Sequence, residues 1–413
     1  MFSFFQNLTK AQKRLLNACF FSFFLNGSMT LMLGSVMPDL RSAYQLTATQ
    51  GGLLISSYSI GNFISGMIGG LLTLFWGQRR SVIMFALSMV LGFVLVMVWG
   101  NPLFLMTCFV LMGLGRGGIS NFNNGTVNRV SNGSPSASNI LHACFAIGAL
   151  TAPMIFLLLN GIGGWRTPLF YIITLGLCAA FYFRIQHFED DDHPVRKDKT
   201  QSTMVFMKNP SFLILCAMMF FYLCAEYSIN GWLVTFLQNK TQLVDYFAKN
   251  PTSSLTAYSQ TMATSLWLAI LTGRLTCAAL SARVPQKKLI LIATIGAVAF
   301  FAIMLFGNSI VAVTISIVAL GFCMAGICPL IYSDAGIFSN AYPMAISALL
   351  AIGSSGSILM PTVVGITANA FGYTGGMATI LIAIVCLLVF AILNLTVKTR
   401  MPEPMTQTDG EAA

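Results

Sequence analysis

Twelve stretches, each long enough to meet the need for about 20 apolar residues per membrane-spanning helix, decide what this sequence can fold into. They run over 15–37, 50–75, 80–99, 103–128, 139–160, 165–184, 211–237, 256–281, 287–307, 309–332, 343–366 and 374–397. Helices satisfy their own backbone groups, which is what hydrocarbon demands of a chain inside it. Of the 413 residues 56% are hydrophobic and 8% charged, against about 25% charged in a soluble domain. A water-soluble fold would lack the polar surface to cover such a chain. The expected fold class is therefore an all-α membrane protein with twelve transmembrane helices. The apolar run after Lys10, Lys13 and Arg14 is too long for a leader core and has no small-residue cleavage site, so it reads as an uncleaved first span.

Orientation follows from the basic residues, because Lys and Arg near span ends are retained on the cytoplasmic side. With the N-terminus inside, 16 of the 22 basic residues fall on cytoplasmic segments. Arg41, Arg166, Lys240 and Lys249 fall outside, and Arg116 and Arg274 lie within spans. The expected location is a plasma membrane (the inner membrane if the source is bacterial), with both termini cytoplasmic. The formal charge of +10 then reflects topology and contact with anionic lipid; no nucleic-acid partner is expected. The polar run 189–199 cannot enter hydrocarbon and splits the spans six and six. This predicts an N-terminal six-helix bundle over 1–185, a cytoplasmic linker over 186–210, a C-terminal bundle over 211–397 and a cytoplasmic tail over 398–413.

The halves repeat. Arg79-Arg80 corresponds to Lys287-Lys288, Gly113, Gly118 and Ile119 to Gly321, Gly326 and Ile327, and Gly148 and Pro153 to Gly356 and Pro361, all at an offset of 208 residues. One offset shared by basic, glycine and proline positions marks an internal repeat. Six spans separate matched helices, so the repeat is parallel, and two pseudo-symmetric bundles are expected to rock about a site between them.

Excluded classes are as informative. The ten cysteines are scattered singly, with no C-x-x-C pair and no histidine cluster, and read as small buried hydrophobes. Neither metal nor cofactor is expected. The chain has no phosphate loop and no triad or nucleophile motif, so an enzyme is not expected.

The tract Gly70-Leu71-Leu72-Thr73-Leu74-Phe75-Trp76-Gly77-Gln78-Arg79-Arg80 resembles the loop G-x-x-x-D-R-x-G-R-R/K of the major facilitator superfamily, with Leu74 and Phe75 in place of the charged Asp-Arg. The chain is similar to that superfamily over essentially its full length. Within it, the resemblance is greatest to the fucose/galactose/glucose/proton symporter family. It is carried by Gly113-Leu114-Gly115 with the following asparagines, by Glu226-Tyr227-Ser228-Ile229-Asn230-Gly231-Trp232, by Trp267 with Gly273-Arg274, and by 356–361. The acidic residues of the fucose carriers' first and fourth spans fall at Gly34 and Gly118 here. The resemblance implies a major facilitator fold and a monomeric secondary transporter. Its cargo would be a small polar solute, a monosaccharide above all, moved by alternating access with proton or sodium coupling. An organic-anion transporter or exporter using Arg116 as anion ligand is a second reading, and a non-transporting nutrient receptor a third.

Intramembrane polar groups supply the candidate site, since a charge at the bilayer centre costs roughly 3 kcal/mol on insertion scales and needs a partner or a wet cavity. Tyr222, Glu226 and Asn230 recur every four residues and share one helical face of span seven. Arg116, Ser120, Asn123 and Asn124 lie at one- and two-turn steps on span four, and Asn26 is on span one. Trp232 and Trp267 are candidates for stacking on a sugar face, with core packing as the alternative. Arg116 has three competing roles: neutralising Glu226, binding an anionic solute, or modulating the proton affinity of Glu226. Coupling or gating falls to Glu226, Arg116, Asp334 and Arg274. Asp334 also reads as an interfacial carboxylate in water, Arg274 as structural unless paired, and His142, at the start of span five, as a group titrating near neutral pH or merely solvated.

Overall fold

The computed structural model describes residues 8–186 and 204–397 apart from 133, 282 and 343. The polar run 189–199 and the tail 398–413 lie outside the described residues. Helices α1 (Lys10–Ala43), α2 (Ala48–Trp76), α3 (Gln78–Leu95), α4 (Pro102–Val130), α5 (Pro135–Gly163) and α6 (Thr167–Arg184) form the first half. The second half has α7 (Pro210–Asn239), the short α8 (Thr241–Lys249), α9 (Leu255–Leu280), α10 (Gln286–Phe306), α11 (Ile310–Met324), α12 (Ile327–Ala341) and α13 (Ala345–Thr396).

The path makes twelve crossings. Helices α11 and α12 form one span broken at Ala325-Gly326, and α13 folds into two spans at Gly372, whose φ is 74°. Large apolar side chains such as Phe181, Leu158 and Ile292 remain 67%, 65% and 64% exposed on the outer surface. Bilayer lipid accounts for an exterior of that kind.

Helix ends follow local chemistry. Thr9 with Gln12 and Thr47 with Gln50 form reciprocal capping boxes at α1 and α2. Asn101 and Asn209 cap helices whose first residue is proline. A capping box at Thr9 and a last turn carrying Arg41 extend α1 to 34 residues, well beyond the apolar stretch 15–37, because hydropathy marks only the part within hydrocarbon.

The 208-residue offset is built into the backbone. Gly164 and Gly372, 208 apart, both take φ 74° between the fifth and sixth spans of their halves, a conformation that costs glycine little. Arg79 donates to the Gln186 carbonyl at 2.9 Å, and Lys287 to the Asn394 carbonyl at 2.9 Å; both donor and acceptor are displaced by 208. Side chains at Gly113 and Gly321 would collide with the carbonyls of Tyr58 and Leu266, again 208 apart. The first spans differ. Gly148 packs on the Phe24 carbonyl and Gly356 on the Phe220 carbonyl, so α1 and α7 correspond at 196. Helix α8 sits in the connection between α7 and α9, where the first half passes directly from α1 to α2.

The halves meet through α1 with α7, α2 with the first part of α13, and α5 with α9, the last two pairings being pseudo-symmetric counterparts. Contacts concentrate at the end of the bundle away from the termini, called distal below. A side chain at Gly34 would strike the Asn230 carbonyl, and one at Gly52 the Pro361 carbonyl. Ser56 and Thr362 hydroxyls are 2.7 Å apart, and Gln260 Nε2 donates to the Ser35 carbonyl at 3.0 Å. Arg41 closes the distal end: its Nη1 donates to the Tyr373 hydroxyl at 2.6 Å, and its guanidinium lies 5.7 Å and 5.6 Å from the ring centres of Trp232 and Tyr373.

A cation held over two rings with one charged hydrogen bond contributes about 1–3 kcal/mol, or roughly 5- to 150-fold in an equilibrium between two states. Arg41→Ala should therefore populate a distally open form. Spin-label distances across the distal ends of α2 and α13 should acquire a longer component; an unchanged distribution would remove Arg41 as a latch.

Candidate functional site

A cavity of about 300 Å³ lies at the centre of the bundle, with walls from both halves. That is the small end of the range for ligand pockets, roughly 300–1,000 Å³. The distal contacts seal it on one side. Toward the termini His142 lines the cavity and is exposed. The exposed His142 marks the side on which the cavity reaches the surface.

Arg116 organises the N-terminal wall. Its Nε donates to Thr30 Oγ1 at 3.2 Å, and its Nη1 to Asn62 Oδ1 at 2.9 Å and to the Tyr227 hydroxyl at 3.0 Å. Helices α1, α2, α4 and α7 thus converge on one guanidinium. The rings of Tyr58, Phe145 and Tyr227 surround it at 5.9, 6.0 and 5.8 Å. Buried neutral acceptors hold the cation in place without neutralising it.

On the C-terminal wall, α7 presents Glu226, Tyr227 and Asn230, and α9 presents Trp267 and Arg274. Trp267 Nε1 donates to Asn230 Oδ1 at 3.2 Å, and its ring lies 5.7 Å from Phe145 of the other half. The Glu226 carboxylate is within electrostatic range of Arg274 and Arg116 and stands against the Tyr222 hydroxyl. Tyr332 and Ser354 complete the polar lining.

Of the residues singled out in the sequence, Arg116, Ser120, Glu226, Asn230, Trp267 and Arg274 share this cavity. Five of the expected solute-binding residues do not line it. Asn26 is buried and donates to the Arg116 carbonyl at 3.2 Å, tying α1 to α4. Asn123 is buried against Ser22 at 2.7 Å, because α1 covers α4 at that level. Asn124 turns back onto the Ser120 carbonyl at 2.9 Å. Tyr222 is buried behind Glu226. Trp232 is also buried, its Nε1 donating to the Pro361 carbonyl at 3.2 Å; it belongs to the distal seal under Arg41.

One further expectation is corrected. Asp334 is buried rather than wetted and accepts from Asn394 Nδ2 at 3.0 Å, on the face where Lys287 grips the last helix. His142 is part of the cavity wall, its ring 5.4 Å from Phe23. Arg116 bonds Tyr227 across the halves and lies within electrostatic range of Glu226. The sequence reading missed Thr30, Tyr58 and Asn62 as site residues. Asn62 carried a usable signal, a lone amide deep in an apolar span.

Comparison with known proteins places these features in context. A family model described as Major Facilitator Superfamily matches residues 19–333. The membrane protein MosC of Rhizobium meliloti is 23% identical over 363 residues, covering 87% of this chain and 85% of that protein. A nucleoside transporter NupG variant superimposes with TM-score 0.76 at 15% identity, over 94% of this chain and 99% of that chain. A bacterial homolog of the human lysosomal transporter Spinster, inward-facing and unoccupied, gives 0.72 at 15% identity over 94% and 97%. The E. coli fucose:proton symporter FucP gives 0.61 at 16% identity over 93% and 99%.

A buried hydrogen bond to a charged group is worth about 1.5–3 kcal/mol. Tyr227→Phe keeps the ring but removes the hydroxyl that accepts from Arg116. It should lower the melting temperature in detergent, whereas Tyr332→Phe, whose hydroxyl has no protein partner among the described residues, should not. Equal melting temperatures for both variants would show that the Arg116–Tyr227 contact holds nothing together.

Proposed function

The chain belongs to the Major Facilitator Superfamily and is a multi-pass membrane transporter; from that premise we propose that its cargo is a small polyhydroxylated solute of monosaccharide size. The solute binds in the central cavity and crosses by alternating access, coupled to protons or sodium. The observation that carries the reading is the cavity itself, at the interface of the halves, sealed distally and open toward the termini. Its wall combines hydroxyls and amides with the Trp267–Phe145 pair. Such a wall fits a solute with hydroxyl edges and an apolar ring face. The structures it resembles include a nucleoside transporter and a fucose:proton symporter, whose named cargoes share that chemistry. With both termini cytoplasmic, as the basic-residue asymmetry supports, this conformation is inward-facing and the membrane is the plasma membrane.

Glu226 is the group proposed to couple the solute to protons, as the one carboxylate lining the cavity among the described residues. Protonating it removes a charge from a desolvated site, which alters the cost of carrying that site through the closed state.

The test is counterflow in liposomes with a panel of labelled hexoses, sugar acids and nucleosides. Exchange of at least one class is expected, and exchange of none would leave the receptor reading in its place. Glu226→Gln should retain exchange but lose accumulation driven by a pH gradient. Unchanged accumulation in that variant would assign coupling to another group or to sodium, which a sodium jump at constant pH separates.

A further inference from the structure

The cavity wall carries two arginines, Arg116 and Arg274, and one carboxylate, Glu226. With Glu226 ionised the wall holds one excess positive charge, and with Glu226 protonated it holds two. A desolvated charge in a membrane protein needs a partner, and the expense of leaving it without one is what makes such residues rare. The two arginines differ in how they are held. Arg116 is fixed by Thr30, Asn62 and Tyr227 through Nε and Nη1, and its Nη2 has no partner among the described residues. Arg274 makes no hydrogen bond among the described residues, and its Nε is buried without an acceptor. It stays on the cavity wall, within electrostatic range of Glu226 and His142. A guanidinium with its whole fork of donors unused is complementary to a planar anion, which it binds with two parallel hydrogen bonds.

We infer that the solute carries a carboxylate, that Arg274 is the principal ligand for it, and that the free Nη2 of Arg116 completes the anion site. The substrate class is then a polyhydroxylated monocarboxylate, a sugar acid, and not a neutral sugar. This inference rests on the proposed transport of a polyhydroxylated solute. The hydroxylated body lies against Asn230, Ser354 and the Trp267–Phe145 pair, while the carboxylate supplies the negative charge that the wall lacks. Glu226 remains available for protons, because the solute's own anion answers the second arginine.

Counterflow with D-glucuronate and D-glucose, which differ at one terminal carbon, tests this on the intact protein in liposomes. Glucuronate should exchange with a KM about tenfold or more below that of glucose, the factor that corresponds to about 1.4 kcal/mol. Arg274→Gln should raise the glucuronate KM by about tenfold or more relative to the glucose KM measured in the same variant. Arg274→Lys keeps a cation for folding but loses the planar fork, so it should show an intermediate KM for glucuronate alone. Glucose exchange equal to or better than glucuronate exchange, or a glucuronate KM indifferent to both substitutions, would overturn the inference and leave the polyol reading standing. Absence of exchange with both sugars and with the wider panel would remove the polyol reading and this inference together.

Discussion

Close approach of backbones at the distal end is the constraint on which the rest of this structure depends. Gly34 on the Asn230 carbonyl and Gly52 on the Pro361 carbonyl bring α1 against α7 and α2 against α13 without intervening side chains. In lipid, where apolar surface gains little by leaving one apolar neighbour for another, such packing and interhelical hydrogen bonds are what hold helices together. The seal is correspondingly local. Ser56–Thr362, Gln260–Ser35 and Arg41–Tyr373 join the halves on the distal side, and on the side of the termini the cavity reaches the exposed His142. A molecule fastened at one end and open at the other is one of the two positions an alternating device must occupy.

The central site inherits its geometry from this arrangement. Arg116 could not hold Thr30, Asn62 and Tyr227 together unless α1, α2 and α7 had already been brought close to α4. One cation therefore registers whether the halves are in contact near the midplane, because its Tyr227 bond crosses between them. The remaining charges, Glu226 and Arg274, are left for the solute and the coupling ion. This division of labour, one arginine spent on positioning and one left free, underlies the proposed preference for an acidic cargo.

Much of the fold was legible because its signals are periodic or repeated. Span length follows from the thickness of a bilayer, and the 208-residue offset recurs in the φ of Gly164 and Gly372 and in the Arg79 and Lys287 bonds. Only part of the site was legible. Intramembrane charge, rare in spans for a stated energetic reason, singled out Arg116, Glu226 and Arg274, which share the cavity wall, and equally Asp334, which does not line it. Asparagines and tryptophans gave poorer guidance: Asn123 and Asn26 join neighbouring helices and Trp232 braces the distal seal. A polar side chain on an apolar helix can serve a neighbouring helix as well as a cavity, and helical spacing does not distinguish the two. The role of Tyr227 depends on how α4 and α7 approach across the two halves, which lies beyond any local pattern.

The most direct test of alternation about this cavity is to lock the distal seal. Ser56 and Thr362, whose hydroxyls are 2.7 Å apart, would be replaced by cysteines in a chain freed of its native thiols, and the pair oxidised to a disulfide in liposomes. The cavity would then stay open to one side, so counterflow of a transported solute should stop and return on reduction. Undiminished exchange by fully cross-linked protein would contradict transport by alternate opening of the two ends.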